Sequence, residues 1–234
     1  MALTILTALF ALGWHGYRYV TDTGIDDVRG VDVSSYQLDV DWDVLKSEGI
    51  RFAFIKATEG SSHVDPNFEV NWKGARRAGM LVGAYHFLSF DTDGDTQAEN
   101  FIDTVKKKRN MLPPAVDIEL YGDYSSDPPS ADTVRGILDT VLEELEDRYD
   151  MKPILYVNHH VYGMYLADEA YADYPIWISD PDESDTLSDG RIWTFCQYSF
   201  SGLSDGVGEG KKVDLDKFRG NLWQLRQHDF EALE

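Results

Sequence analysis

Asp117 and Glu119 close the segment Pro113-Pro-Ala-Val-Asp-Ile-Glu119. Ala115, Val116 and Ile118 are apolar, two prolines fix the entry and turn-forming residues follow, so the segment reads as a short buried strand. Side chains two positions apart on a strand face the same way, roughly 6–7 Å from each other. Two carboxylates crowded at the end of a buried strand raise each other's pKa and leave one able to hold a proton near neutrality. Acid-catalysed glycoside cleavage uses such a proton. An acidic loop that begins early, or a pair of metal ligands, would carry the same letters, and the rest of the chain has to decide.

The 234 residues suffice for one domain with a sizeable core and are short for two. Thirteen tyrosines and six tryptophans offer ring faces that pack on sugar C–H surfaces, although most such rings belong to a core. A formal net charge of −21 argues against nucleic acid and against adhesion to anionic membranes. The same charge repels a polyanionic substrate at low salt. Cys196 is the single cysteine, which excludes an intrachain disulfide; within the apolar run Ile192–Tyr198 it reads as a small buried hydrophobe.

Ala2–Trp14 is apolar but shorter than the about 20 residues a membrane-spanning helix needs. Its length suits a signal-peptide core, with Ala11-Leu12-Gly13 as a small-x-small cleavage site, yet no Lys or Arg precedes it. Export by this segment and a loosely packed N-terminal arm both stand as readings. His15–Arg29 reads as a linker, which makes residues 1–29 a unit apart, 30–222 the main domain and 223–234 a C-terminal tail.

From Gly30 onward, strands and helices alternate. Strands are expected at Gly30–Val33, Arg51–Ala57, Leu81–Phe87, Pro113–Glu119, Pro153–Asn158, Pro175–Ser179, Ile192–Ser199 and Lys212–Phe218. Helices are expected at Trp42–Glu48, Asp65–Ala78 and Thr96–Lys108, whose lysines would complement the helix dipole. Two more follow at Ser130–Tyr149, with Val134, Ile137, Leu138, Val141, Leu142 and Leu145 on one stripe, and at His159–Leu166. Alternation of this kind argues for parallel βαβ units, and apolar strand interiors for a sheet covered on both faces. The last third has strands without long helices between them. A barrel of about five β/α units with a β-rich closing section fits better than a regular eightfold one.

Polar residues enter the strand ends in series: Asp32, Lys56 with Glu59, Tyr85 with His86, Asp117 with Glu119, Tyr156 with Asn158, Ser179 with Asp180, Gln197 with Tyr198, and Asp214. Barrels of this class build their active sites at that rim. Part of the series follows simply from strands ending where polar loops begin. The remainder suggests one polar cleft around the Asp117/Glu119 pair.

Gly30-Val-Asp-Val-Ser-Ser-Tyr-Gln37, Ile55-Lys-Ala-Thr-Glu-Gly60, Val64-Asp-Pro-Asn-Phe68, Asn71-Trp72, Gly83-Ala-Tyr-His-Phe87, Val116-Asp-Ile-Glu119 and Val213-Asp-Leu-Asp216 together resemble the family 25 glycoside hydrolases. These are lysozymes of the N-acetylmuramidase type, and the resemblance spans roughly Arg29 to Leu222. It implies a single-domain α/β fold, an irregular (β/α)5(β)3 TIM-like barrel. It also implies hydrolysis of the β-1,4 bond between N-acetylmuramic acid and N-acetylglucosamine in peptidoglycan. By the resemblance Glu119 is the general acid, and Asp117 orients the substrate's 2-acetamido group for a retaining, substrate-assisted route. Two carboxylates on one face of one strand do not easily straddle a sugar ring, which favours that route over direct inversion. Asp32 and Asp214 match the family's other two acids, and the cluster helps keep Glu119 protonated. Tyr85, Tyr156, Trp177, Gln197 and Tyr198 fall where sugar-binding groups are expected. His86 reads rather as a structural hydrogen-bonder, and Lys56 with Glu59 as an ion pair shaping the rim.

Ser179-Asp180-Pro181 departs from the family pattern after Trp177 and is expected to add negative charge at the cleft. His159-His160 and Asp91/Asp93/Asp95 invite metal readings. The first reads better as a helix start; the second is a solvated acidic loop without the Glu that EF-hand spacing requires. No metal and no cofactor is expected. The expected partner is the peptidoglycan glycan strand, met by a monomer outside the cell or at its wall, with no membrane association beyond a possible N-terminal signal. A non-catalytic glycan-binding barrel and a chitinase-like N-acetylglucosaminidase are the rival readings.

Overall fold

Alternate residues of each strand divide the core in two, because strand side chains point to opposite faces. Phe52, Phe54, Tyr85, Ala115, Ile154, Tyr156, Trp177, Phe195 and Phe218 pack together in one cluster, while Ala53, Ile55, Val82, Val116, Leu155 and Ile178 pack in another with the helices. The first fills a barrel and the second joins the barrel to a helical coat. The computed structural model describes residues 28–184, 186–208, 212–230 and 233. The apolar segment Ala2–Trp14 and nearly all of the linker read from the sequence lie outside them.

Nine strands occur among the described residues: β1 (Val28–Val33), β2 (Phe52–Glu59), β3 (His63–Val64), β4 (Leu81–Phe87), β5 (Ala115–Asp117), β6 (Ile154–Asn158), β7 (Ile176–Ser179), β8 (Phe195–Gly202) and β9 (Val213–Phe218). β1, β2, β4, β5, β6, β7 and β8 are successive parallel neighbours. β9 then runs antiparallel between β8 and β1 and closes the ring at eight strands. β3 is a short arm folded back on β2. Helices α1 (Trp42–Ser47), α2 (Phe68–Arg77), α3 (Gly94–Thr104), α4 (Ala131–Tyr149) and α5 (His159–Val161, continued by a wide turn over Tyr162–Leu166) follow the first five barrel strands. Among the described residues no such helix separates the last three strands, which is the irregular (β/α)5(β)3 order expected.

Boundaries moved where tertiary contacts overrode local pattern. β1 begins at Val28, inside the stretch read as linker. β5 is three residues long rather than seven: Pro113 and Pro114 have no N–H to donate, and beyond Asp117 the pairing continues only toward β6, through Ile118 N–H to Tyr156 O at 2.9 Å. Helix α3 stops at Thr104, so Lys106, Lys107 and Lys108 lie past its end and not in its last turn. Val105 is fully buried in an extended conformation, and its carbonyl accepts the Tyr149 hydroxyl proton at 2.6 Å. That contact with α4 pulls the chain out of the helix.

The stretch read as a tail contains a sixth helix, α6 (Leu222–Gln227), started by the Asn221–Gln224 capping box. Leu225 is buried, and Phe230 meets Phe195 and Phe218 at 5.7 Å between ring centroids. These groups belong to the inner cluster and seal the barrel end opposite the polar rim. Two glycines make the filling possible. A Cβ on Gly30 would lie 2.3 Å from the Phe52 ring, and one on Gly83 2.4 Å from the Phe54 ring.

Candidate active site

The strand ends converge on one cleft lined by Asp32, Tyr85, Asp117, Glu119, Tyr156, Trp177, Gln197 and Asp214. Eight of the nine residues expected at the site are therefore brought together. Register explains the convergence. Asp32 on β1 lies directly opposite Asp214 on β9, and Asp117 on β5 opposite Tyr156 on β6. Glu119, two residues past Asp117, projects from the rim just beyond the last strand pair of β5.

The loops behind these groups are tied down. Ser34 accepts the Tyr36 N–H and its own N–H donates to Gln37 Oε1, which sets a tight turn directly after β1. Asp65 takes the Ser35 N–H on one oxygen and the Asn67 N–H on the other, both at 2.9 Å, and so joins that turn to the start of α2. Lys56 and Glu59 form the expected ion pair at 2.7 Å, with the ammonium 5.0 Å from the centre of the Phe87 ring.

A chain of hydrogen bonds crosses the floor. The Tyr156 hydroxyl donates to Gln197 Oε1 at 2.8 Å, and Gln197 Nε2 donates to Asp32 Oδ2 at 2.7 Å. Trp177 stacks on Phe54 at 4.6 Å and meets Tyr156 edge to face at 4.6 Å. With 2% of its surface exposed it forms the floor under the cleft, and its indole N–H is spent on Asp216 Oδ1 at 2.9 Å. Asp216 was not singled out from the sequence. Spacing alone could have found it, since Asp214-x-Asp216 repeats the i, i+2 logic of Asp117-x-Glu119 and places a second acid on the inner face.

Three expected rim residues turn away. His86 faces the helical coat, where Nδ1 meets Thr58 Oγ1 at 2.8 Å and Nε2 meets Gln97 Oε1 at 3.1 Å. Burial lowers its pKa to about 4 and keeps the ring neutral. Tyr198 packs with the outer cluster, at a bulge between Gln197 and Ser199, and does not line the cleft. Asp180, expected to charge the cleft, has opposite parity to Trp177 and is the hub of a turn outside it. It accepts from Asp182 N–H and Ser184 N–H and pairs with His159 Nε2 at 2.9 Å. Those bonds hold its pKa down at about 2 against the opposing effect of burial. The other metal candidate is also occupied: Asp91 accepts the hydroxyl protons of Tyr121 and Tyr124.

Five carboxyl groups thus face one another among the described residues, with Lys56 as the nearby cation. Burial, then Glu119, pushes Asp117 well above the usual carboxylate range, with Lys56 opposing. Glu119 is raised by burial and by Asp214, again against Lys56. Asp32 is pushed up to about 8 by burial and by Asp214, and burial also raises Asp214. Such a cluster holds protons near neutrality, as acid catalysis requires. One further atom bears on chemistry: Asp117 Oδ1 is buried and accepts no hydrogen bond from the described residues.

Comparison with known proteins agrees with this geometry. Residues 31–207 match the family model of glycosyl hydrolases family 25. A solved family 25 glycosyl hydrolase from Bacillus anthracis superposes with a TM-score of 0.81 at 43% identity, covering 86% of this chain and 93% of its own. Lysozyme M1 of Streptomyces globisporus is 31% identical over 224 residues, 89% of this chain and 73% of that protein. YegX, an uncharacterized Escherichia coli protein, is 34% identical over 223 residues, 91% of this chain and 79% of its own length.

Proposed function

The chain belongs to glycosyl hydrolases family 25 and is a lysozyme-type glycoside hydrolase, and we propose that it cleaves the β-1,4 bond between N-acetylmuramic acid and N-acetylglucosamine in peptidoglycan, with Glu119 as general acid and Asp117 assisting the substrate acetamide. The observation that carries this reading is the pairing of a half-buried acid, Glu119 just past the end of β5, with a buried one on β5, Asp117, that has an unused acceptor. Asp117 Oδ1 has no hydrogen-bond partner among the described residues. An acetamide N–H supplies one, and an unsatisfied buried acceptor costs about 1–3 kcal/mol until it is met.

Glu119 gives its proton to the glycosidic oxygen as the C–O bond breaks. The acetamide oxygen closes on the anomeric carbon, and Asp117, holding the N–H, offsets the positive charge that develops on the amide. Water then opens the cyclic intermediate, Glu119 takes back its proton, and the anomeric configuration is retained. Asp32 and Asp214 raise the proton affinity of the cluster, while Tyr85, Tyr156 and Gln197 shape the sugar site above the Trp177 floor. Every group used comes from one barrel, so a monomer suffices, working on the wall from outside the cell.

Product analysis of purified peptidoglycan, digested with wild type and with Glu119→Gln, tests the assignment. New reducing ends on muramic acid, abolished in the variant, are expected. Reducing ends on glucosamine would move cleavage to the other bond. Wall binding without products from either protein would leave a glycan-binding barrel.

A further inference from the structure

Asp216 is fully buried, yet one of its oxygens meets no N–H or O–H. Oδ1 accepts the Trp177 indole proton at 2.9 Å, and Oδ2 is left without a donor. Its hydrogen-bond neighbour is another carboxyl, that of Asp32. Two carboxylates have no proton between them, whereas a carboxylic acid donates to a carboxylate in a short, strong bond. Asp32 is meanwhile approached by a second donor, Gln197 Nε2 at 2.7 Å, whose amide is oriented by the Tyr156 hydroxyl on Oε1.

We propose that Asp216 is a positioning residue whose Oδ2 is bonded to the Asp32 carboxyl through a proton that the two share, fixing Asp32 in the cleft between Asp216 and the Gln197 amide. The groups facing Asp216 are Asp32 from β1, Trp177 from β7, Gln197 from β8 and Asp214 on its own strand, and none of these is a cation. Burial and the neighbouring Asp32 raise the pKa of Asp216, and burial raises that of Asp32 in turn, so the pair retains the shared proton. Register places Gln197 of β8 directly opposite Asp216. Asp214 and Asp216 therefore divide their labour by depth, the first lining the cleft and the second acting only through Asp32.

The inference rests on the reading of this cleft as the catalytic site, but the proton can be detected without turnover. Infrared difference spectra of the ligand-free enzyme, wild type against D216N at pH 7, are expected to show a neutral carboxylic acid carbonyl band that the variant lacks. D216L removes donor and acceptor together, and D216N restores both, since its amide can donate to Asp32 and accept from Trp177. On peptidoglycan D216L is expected to lose at least about tenfold in kcat/KM, with D216N recovering most of that loss. The pH profile of D216L should also move upward, because Asp32 loses a donor that favours its charged form. A wild-type spectrum without the band, or a band unchanged in D216N, overturns the assignment even if D216L fails to fold. Equal impairment of D216N and D216L overturns the positioning role. A failure of the muramidase assignment itself would appear in the products of the wild type and leave the infrared result standing.

Discussion

Lys56 and Glu59 are joined at 2.7 Å across the register shift in β2, and the lysine of this pair also faces the two acids of β5. A cation facing the cleft carboxyls is thus shared with an acid on the rim. Lys56→Met removes the charge that opposes the raised pKa of Asp117 and Glu119. Both limbs of the kcat/KM–pH profile should move to higher pH, and kcat at pH 6 should fall about tenfold or more. Glu59→Gln frees the lysine for the β5 acids and should move the profile the other way. Initial rates over pH 4–9 measure both.

Asp117→Asn keeps the shape of the site and, on the proposed route, removes the carboxyl group that holds the acetamide N–H. A loss of about 10²-fold or more in kcat is expected with little change in KM. Proton NMR of the first products of the wild type should show retention at the anomeric centre. An inverted product would eliminate the substrate-assisted route.

The carboxyl cluster makes stability fall as pH rises. Asp32, raised to about 8, together with Asp117, Asp214 and Asp216, binds protons in the folded state that the unfolded chain has already released. With more protons on the native side, the slope of unfolding free energy against pH is negative from about pH 4 to about 8. Each such proton is worth about 1.4 kcal/mol per pH unit, or about 3–6 °C in Tm for a domain of this size. His86 opposes the trend below pH 6.5, since its buried ring stays neutral down to about 4 while the unfolded histidine takes a proton. Calorimetry should find maximum stability on the acid side of neutrality, and Asp32→Asn should be more stable than wild type at pH 8.

Asp180→Ala tests whether the departure after Trp177 touches the substrate. The side chain faces a turn and not the cleft, so kcat/KM should stay within about twofold of wild type. Stability should drop by about 1–3 kcal/mol, because the Asp182 and Ser184 N–H groups lose their acceptor. A large rise in KM without loss of stability would return Asp180 to the cleft.

Gly83→Ala forces a methyl to within 2.4 Å of the Phe54 ring, which is itself stacked on Trp177. Overpacking of this kind costs about 1–3 kcal/mol and displaces the floor of the site. A lowered Tm accompanied by a fall in kcat is expected.

Strand parity made most of the site legible. Asp117 with Glu119, and Asp32, Tyr85, Tyr156 and Gln197 at strand ends, all follow from alternation plus apolar neighbours. The same alternation sends His86 and Asp180 outward, although the departure after Trp177 reads in sequence as adding Asp180 to the cleft. Tyr198 could not have been placed, because the bulge beside it is set by how β8 meets β9 and leaves no mark in composition. Helix α3 ends early through a tertiary contact, Tyr149 on Val105, which no local propensity encodes. The insertion of β9 between β8 and β1 is likewise a matter of ring closure rather than of any one segment.

That closing strand has a consequence for the order in which the enzyme comes into being. β9 supplies Asp214 and Asp216 and is the last strand of the ring to leave the ribosome, while its neighbour β1 is the first. Until residue 218 emerges, β1 and β8 are open edges, Asp32 lacks its partners from β9, and the acid cluster has not assembled. A nascent or C-terminally truncated chain therefore lacks the assembled carboxyl cluster, which arrives in one step with the completion of the barrel.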